Sequence, residues 1–69
     1  MSYAKLRGKI REMFGTNERF SAAMEIDASS LSSKLNGKTS WKREEIEKAC
    51  VLLGIPIEEV HLYFFSVKL

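Results

Sequence analysis

Apolar residues recur along the chain at helical spacing, and no alternation of period two runs through its body, so the pattern predicts an all-α fold. Tyr3, Leu6, Ile10, Met13 and Phe14 form one stripe, which predicts a first helix over 3–14 that Gly15 ends. Thr16 is placed to cap a second over about 17–24, where Phe20, Ala23 and Met24 share a face. Asp27 is placed to accept an amide of the next turn and open a third over about 28–35, anchored by Leu31 and Leu35 and broken by Asn36-Gly37. Ser40 begins a fourth, with Trp41 near its entry, Ile46, Ala49, Cys50 and Leu53 inward, and Gly54 at its end. Pro56 suits the first turn of a last helix over about 57–64 that buries Ile57, Val60 and Phe64. Short connections of about two to five residues suit a compact five-helix domain spanning 1–69.

Within this framework residues 16–37, TNERFSAAMEIDASSLSSKLNG, stand out. A short helix, a tight turn and a second helix with few buried positions outline a helix-turn-helix over about 17–36. In such a unit the second helix lies in the major groove of DNA and needs a narrow apolar stripe beside a broad polar face. The third helix has that division: Leu31 and Leu35 anchor it, while Ala28, Ser29, Ser32, Ser33 and Asn36 face outward or lie at its flank. Ser21 supplies the small residue that two closely crossing helices require.

Charge sharpens this reading. The net charge is only +2, yet residues 1–43 carry nine basic against four acidic side chains, and residues 44–69 carry two against five. Such asymmetry suggests a basic surface for a polyanion and a separate acidic part. Sixty-nine residues close one core only, which excludes a multidomain enzyme. No apolar run approaches the ~18 residues of a membrane span, and the N-terminus does not read as a cleavable leader. Cys50 is the single cysteine, which rules out an internal disulfide and fits a reducing cytoplasm.

The sequence resembles the small Cro and repressor proteins of temperate phages, and within them a group of prophage and mobile-element regulators. The resemblance spans nearly the whole chain. It is carried by YAKLRGKIREMFG, the Phe20 to Ile26 spacing, SSKLNGK from Ser32 to Lys38, WKREEIEKA from Trp41 to Ala49, and LLGIP followed by EEVHLYFF. It implies a lambda-repressor-like DNA-binding fold and a sequence-specific regulator of transcription, a repressor acting at an inverted-repeat operator. Three features depart from the wider family. Glu25 stands where relatives often place glycine in the turn, at a cost of about 1 kcal/mol if φ is positive. Lys34 stands where many bury an apolar residue, with Leu35 taking the inward role. An Arg–Glu pair between the first helix and the end of the third is replaced by Ile10 and Leu35, a change an apolar core tolerates.

The candidate base contacts are Ala28, Ser29, Ser32, Ser33 and Lys34. Serine hydroxyls donate or accept at base edges and an alanine methyl meets a thymine methyl. No outward Arg, Asn or Gln within 28–33 offers a bidentate contact, so DNA shape, or Lys34 and Asn36, must carry part of any specificity. The candidate phosphate contacts are Asn17 at the start of the second helix, and Asn36, Lys38, Thr39, Ser40, Lys42 and Arg43 after the third. A helix N-terminus near Ser40 would add free amides.

Catalysis has no foothold: nucleophile and base do not recur together, no phosphate-binding glycine loop occurs, and His61 has no ligand-spaced companion. No metal, cofactor or small-molecule ligand is expected, and the partner class is double-stranded DNA. The closing run leaves Tyr63, Phe65, Val67 and Leu69 as surplus apolar residues, the last three alternating with polar ones, which makes 65–69 a candidate contact of a two-fold dimer. Such a dimer spaces its recognition helices by about 34 Å, one duplex turn. The rival reading is a protein-interaction module, an antirepressor or adaptor that uses the same fold without DNA.

Overall fold

The computed structural model describes residues 3–65. Five α-helices, α1 (Ala4–Phe14), α2 (Asn17–Met24), α3 (Ala28–Leu35), α4 (Arg43–Leu53) and α5 (Val60–Phe64), follow in order, with one 3₁₀ turn at Ile57–Glu59 ahead of α5. No strand occurs among the described residues. Helix α2 packs on both α1 and α3, α4 lies against α1 and α2, and α5 closes the bundle against α1.

The first three helices begin and end where local chemistry dictates. Gly15 at φ 86° stops α1, and the Thr16 hydroxyl accepts the Arg19 N–H at 3.1 Å to start α2. Helix α2 ends through Glu25, whose φ of 65° and ψ of 40° are the left-handed conformation that glycine supplies without strain. Its N–H donates to Ala22 O at 3.1 Å, and the next, Ile26 N–H, donates to Ser21 O at 3.0 Å. Here a glutamate tolerates the glycine geometry, and its carboxylate meets Lys48 of α4 at 3.1 Å. Glu25 is exposed and Lys48 only half-buried, so that pair contributes little. Glu25→Gln is therefore expected to change stability by less than about 0.5 kcal/mol, whereas Glu25→Gly should exceed Glu25→Gln by about 0.5–1 kcal/mol in chemical denaturation because it relieves the positive φ. Equal stability of the two variants would mean that the turn is unstrained.

The core consists of Leu6 and Ile10 of α1, Phe20 and Met24 of α2, Leu31 and Leu35 of α3, Ala49 and Leu53 of α4, then Ile55, Tyr63 and Phe64. Ser21, buried in α2, turns its hydroxyl back to Glu18 O at 2.8 Å, so no polar group is stranded there. Trp41 stands edge-on to Tyr3 and Phe64 with centroids 6.4 and 5.0 Å away. Its indole nitrogen is buried among these rings without an oxygen or nitrogen acceptor.

Several expectations are corrected. Met13 is exposed rather than part of the buried stripe of α1. Asp27 occupies the cap position of α3, but its side chain makes no capping hydrogen bond. Helix α4 starts at Arg43, not at Ser40, because Trp41 is drawn into the aromatic cluster and the Glu45 carboxylate accepts the Lys42 N–H at 2.8 Å. Cys50, on the inward stripe, is only half-buried. Ile57 is 86% exposed, and Ile55 fills the place expected of it. The cause is Gly54, left-handed at φ 67°: the Ile55 N–H donates to Cys50 O at 2.9 Å, the helix-ending turn that folds the following apolar side chain back on the core.

Candidate nucleic-acid interface

Helix α3 buries one narrow stripe, Leu31, Lys34 and Leu35. Ala28, Ser29 and Ser32 are exposed and Ser33 is half-buried, so four of the five candidate base contacts reach solvent. Lys34 does not. Its side chain is 11% exposed and its ammonium lies 3.5 Å from Glu45, the same carboxylate that caps α4. The lysine stem lies along the core in the place where an apolar residue was expected to be missing, and the buried ion pair ties α3 to α4. Lys34 is removed from the candidate base contacts on this geometry.

Asn17, Asn36, Lys38, Thr39, Ser40, Lys42 and Arg43 are all exposed. Lys38 and Lys42 make no ion pair among the described residues. Arg43 pairs with Glu47 at 3.2 Å, but the two side chains are 89% and 64% exposed, so the pair is readily exchanged for another anion. The start of α4 is not the open anion site anticipated near Ser40, because the Glu45 carboxylate holds the Lys42 amide and Glu44 adds further negative charge.

Arg7 and Arg11 are the residues the sequence reading left out. Arg7 reaches across from α1 and donates to Leu35 O and to Asn36 Oδ1, both at 2.9 Å. Asn36 Nδ2 in turn lies 3.4 Å from the Ser32 hydroxyl. A cation thereby sits on the free carbonyl end of α3 and orients the side chains beside its open face. Arg7 and Arg11, with Gly15, Thr16, Asn17 and Glu18, also line a polar recess of about 370 Å³ at the start of α2. Arg7 thus holds Asn36 at the end of α3 and lines the same recess as Asn17 at the start of α2. The only sequence signal is the i, i+4 spacing of Arg7 and Arg11 on a face apart from Leu6 and Ile10. Ile10 and Leu35, in place of a charged pair, are both fully buried.

The expected dimer contacts fare unequally. Tyr63 is buried with Lys5 over its ring at 5.1 Å, so it belongs to the core of one chain and is not available to a partner. Phe65 is 58% exposed. Val67 and Leu69 lie outside the described residues. Among the described residues no helix is long and apolar enough to cross a membrane.

A small all-helical bundle whose third helix carries an open face of small residues has the build of a phage regulatory protein, and comparison with known proteins agrees at that level. Residues 1–67 match the model of the family described as protein of unknown function DUF739, and the chain belongs to that family. It is also similar to the modulator of repression (MOR) of the temperate bacteriophage TP901-1 from Lactococcus lactis, seen in solution. The two share 40% identity and a TM-score of 0.84 over 99% of this chain and 92% of that one. No curated protein matches the chain.

Proposed function

We propose that the protein regulates repression in a genetic switch of the temperate-phage kind and does so by binding double-stranded DNA, with α2 and α3 as a helix-turn-helix. It is a binding protein and not an enzyme. The observation that carries this reading is the outward face of α3: Ala28, Ser29 and Ser32 are exposed and small, and exposed Asn17, Asn36, Lys38 and Lys42 flank it. Serine favours caps and turns over helix interiors, so an exposed Ser32 in the body of α3, beside the small Ala28 and Ser29, is better suited to close approach than to solvation. Base contacts come from Ala28, Ser29, Ser32 and Ser33, and phosphate contacts from the flanking residues, joined by Thr39, Ser40, Arg43, Arg7 and Arg11. A two-fold pair of chains, with Phe65 at the contact, would read an inverted repeat.

Selection of bound duplexes from a random pool tests this directly: a recovered motif with two-fold symmetry is expected, and recovery of no motif counts against it. A finer expectation concerns salt. Lys38→Ala with Lys42→Ala should lower the slope of log K against log salt by about two, one per lost phosphate contact, and should do so equally on all sequences. An unchanged slope in fluorescence anisotropy would remove this segment from the interface.

A second reading is favoured by one observation. With Lys34 held inward by Glu45, the body of α3 presents no charged or bidentate side chain, so the same face suits a protein surface too. The similarity to a modulator of repression is compatible with either route, since repression is altered by binding the operator or by binding the repressor. A protein that shifts no duplex but alters the operator binding of a repressor encoded beside it would establish the second.

A further inference from the structure

One surface is used by neither reading. Ile46, Cys50 and Val51 of α4, with Ile55, Ile57 and Val60 after it, line an open groove of about 400 Å³. It shares no residue with the open face of α3. Val51 is 81% exposed and Ile57 86%, although both are β-branched and apolar, and the chain has turned Ile55 and not Ile57 into its core. A small bundle that leaves two such side chains beside a recess has an unfilled apolar surface.

The charge around the groove identifies what fits it. Residues 44–60 carry five carboxylates and one lysine, of which Glu45 is held by Lys34 and Glu47 shares an exposed, exchangeable pair with Arg43. Glu47 lines the groove. Glu58 and Glu59, both exposed, stand in the chain between its lining residues Ile57 and Val60. A second copy docked groove to groove would set these acids against their own images, which disfavours self-pairing. Among the described residues there is no sheet edge for an extended peptide to join. The remaining mode is a helix laid with its apolar face in the groove. We infer that the groove formed by α4 and the Ile55–Val60 segment is a docking site for an amphipathic helix of a protein partner, whose apolar stripe is flanked by lysine or arginine. This inference does not depend on DNA binding.

Cys50 supplies the readout, because it lines the groove and is the chain's single cysteine. Burial pushes its thiol pKa up, so alkylation is followed at mildly alkaline pH. Two synthetic helices of about four turns serve as probes, with one leucine stripe at i, i+4 and i+7 and either lysine or glutamate flanks. The lysine-flanked helix should protect Cys50 from iodoacetamide and shift backbone amide resonances of 46–60, binding at least about tenfold more tightly than the glutamate-flanked one. Val51→Ser with Ile57→Ser, both surface changes that leave the fold intact by circular dichroism, should weaken binding about tenfold. A saturating duplex should leave Cys50 protection by the probe unchanged, so failure of DNA binding and failure of the groove are separable. The inference is overturned if both probes bind equally, if the double variant binds as the parent does, if neither probe binds, or if Cys50 becomes protected with rising protein concentration alone, which would make a second copy the occupant.

Discussion

Phe20→Ala is expected to leave the chain largely unfolded at physiological temperature. Phe20 is fully buried and meets Phe14 edge-on, with centroids 5.3 Å apart. It stands on α2, the helix that packs against α1, α3 and α4. Truncating a buried phenylalanine costs about 3–5 kcal/mol, and loss of the aromatic edge contact is part of that sum. A chain of this size holds only ~3–10 kcal/mol in total. The thermal midpoint should therefore fall by about 12 °C or more, read as loss of helical circular dichroism. Val51→Ala is the control, because Val51 is 81% exposed and such a change is expected to stay within about 0.5 kcal/mol. A midpoint for Phe20→Ala within a few degrees of the parent would mean that α2 is not the centre of the core.

The expectations that held share a cause, and so do those that failed. Helices α1, α2 and α3 have the ranges predicted for them to within a residue because their boundaries are set by neighbours in sequence: Gly15, the Thr16 hydroxyl and Asn36-Gly37 each act within one turn. The start of α4 was misread because Ser40 looks like a cap, while the competing pull on Trp41 comes from Tyr3 and Phe64, distant in the chain. Ile55 and Ile57 flank Pro56 symmetrically, and periodicity does not distinguish them. The left-handed Gly54 does, by resetting the direction of the chain. The open face of α3, the candidate site, is legible in the sequence, and its supports are not. Lys34 turns inward because of Glu45, and Asn36 is oriented by Arg7, a residue 29 positions away. Pairings of this kind leave no periodic trace, so a sequence reading assigns the lysine to solvent and overlooks the arginine.

The second large effect is expected at α3. Ser29→Glu with Ser32→Glu should reduce affinity for a selected operator by about a hundredfold or more, since each lost or repelled contact at a base edge costs about 1–3 kcal/mol and two carboxylates there also face the phosphates of both strands. The fold should survive, for reasons visible in the helix. Both positions are exposed, so no packing is lost. Ser29 lies in the first turn, where negative charge is favourable, and glutamate has the better helix propensity. Circular dichroism and the thermal midpoint should thus match or exceed the parent while binding collapses, which separates loss of the interface from loss of structure. Ser29→Ala with Ser32→Ala is the milder companion: it removes the hydroxyls without adding charge, and should shift base preference while affinity for random duplex stays the same. Should the double glutamate variant hold duplex DNA within about threefold of the parent, the open face of α3 does not meet DNA. The face of small residues would then be assigned to a protein surface, and the search for the binding partner would move to the repressor.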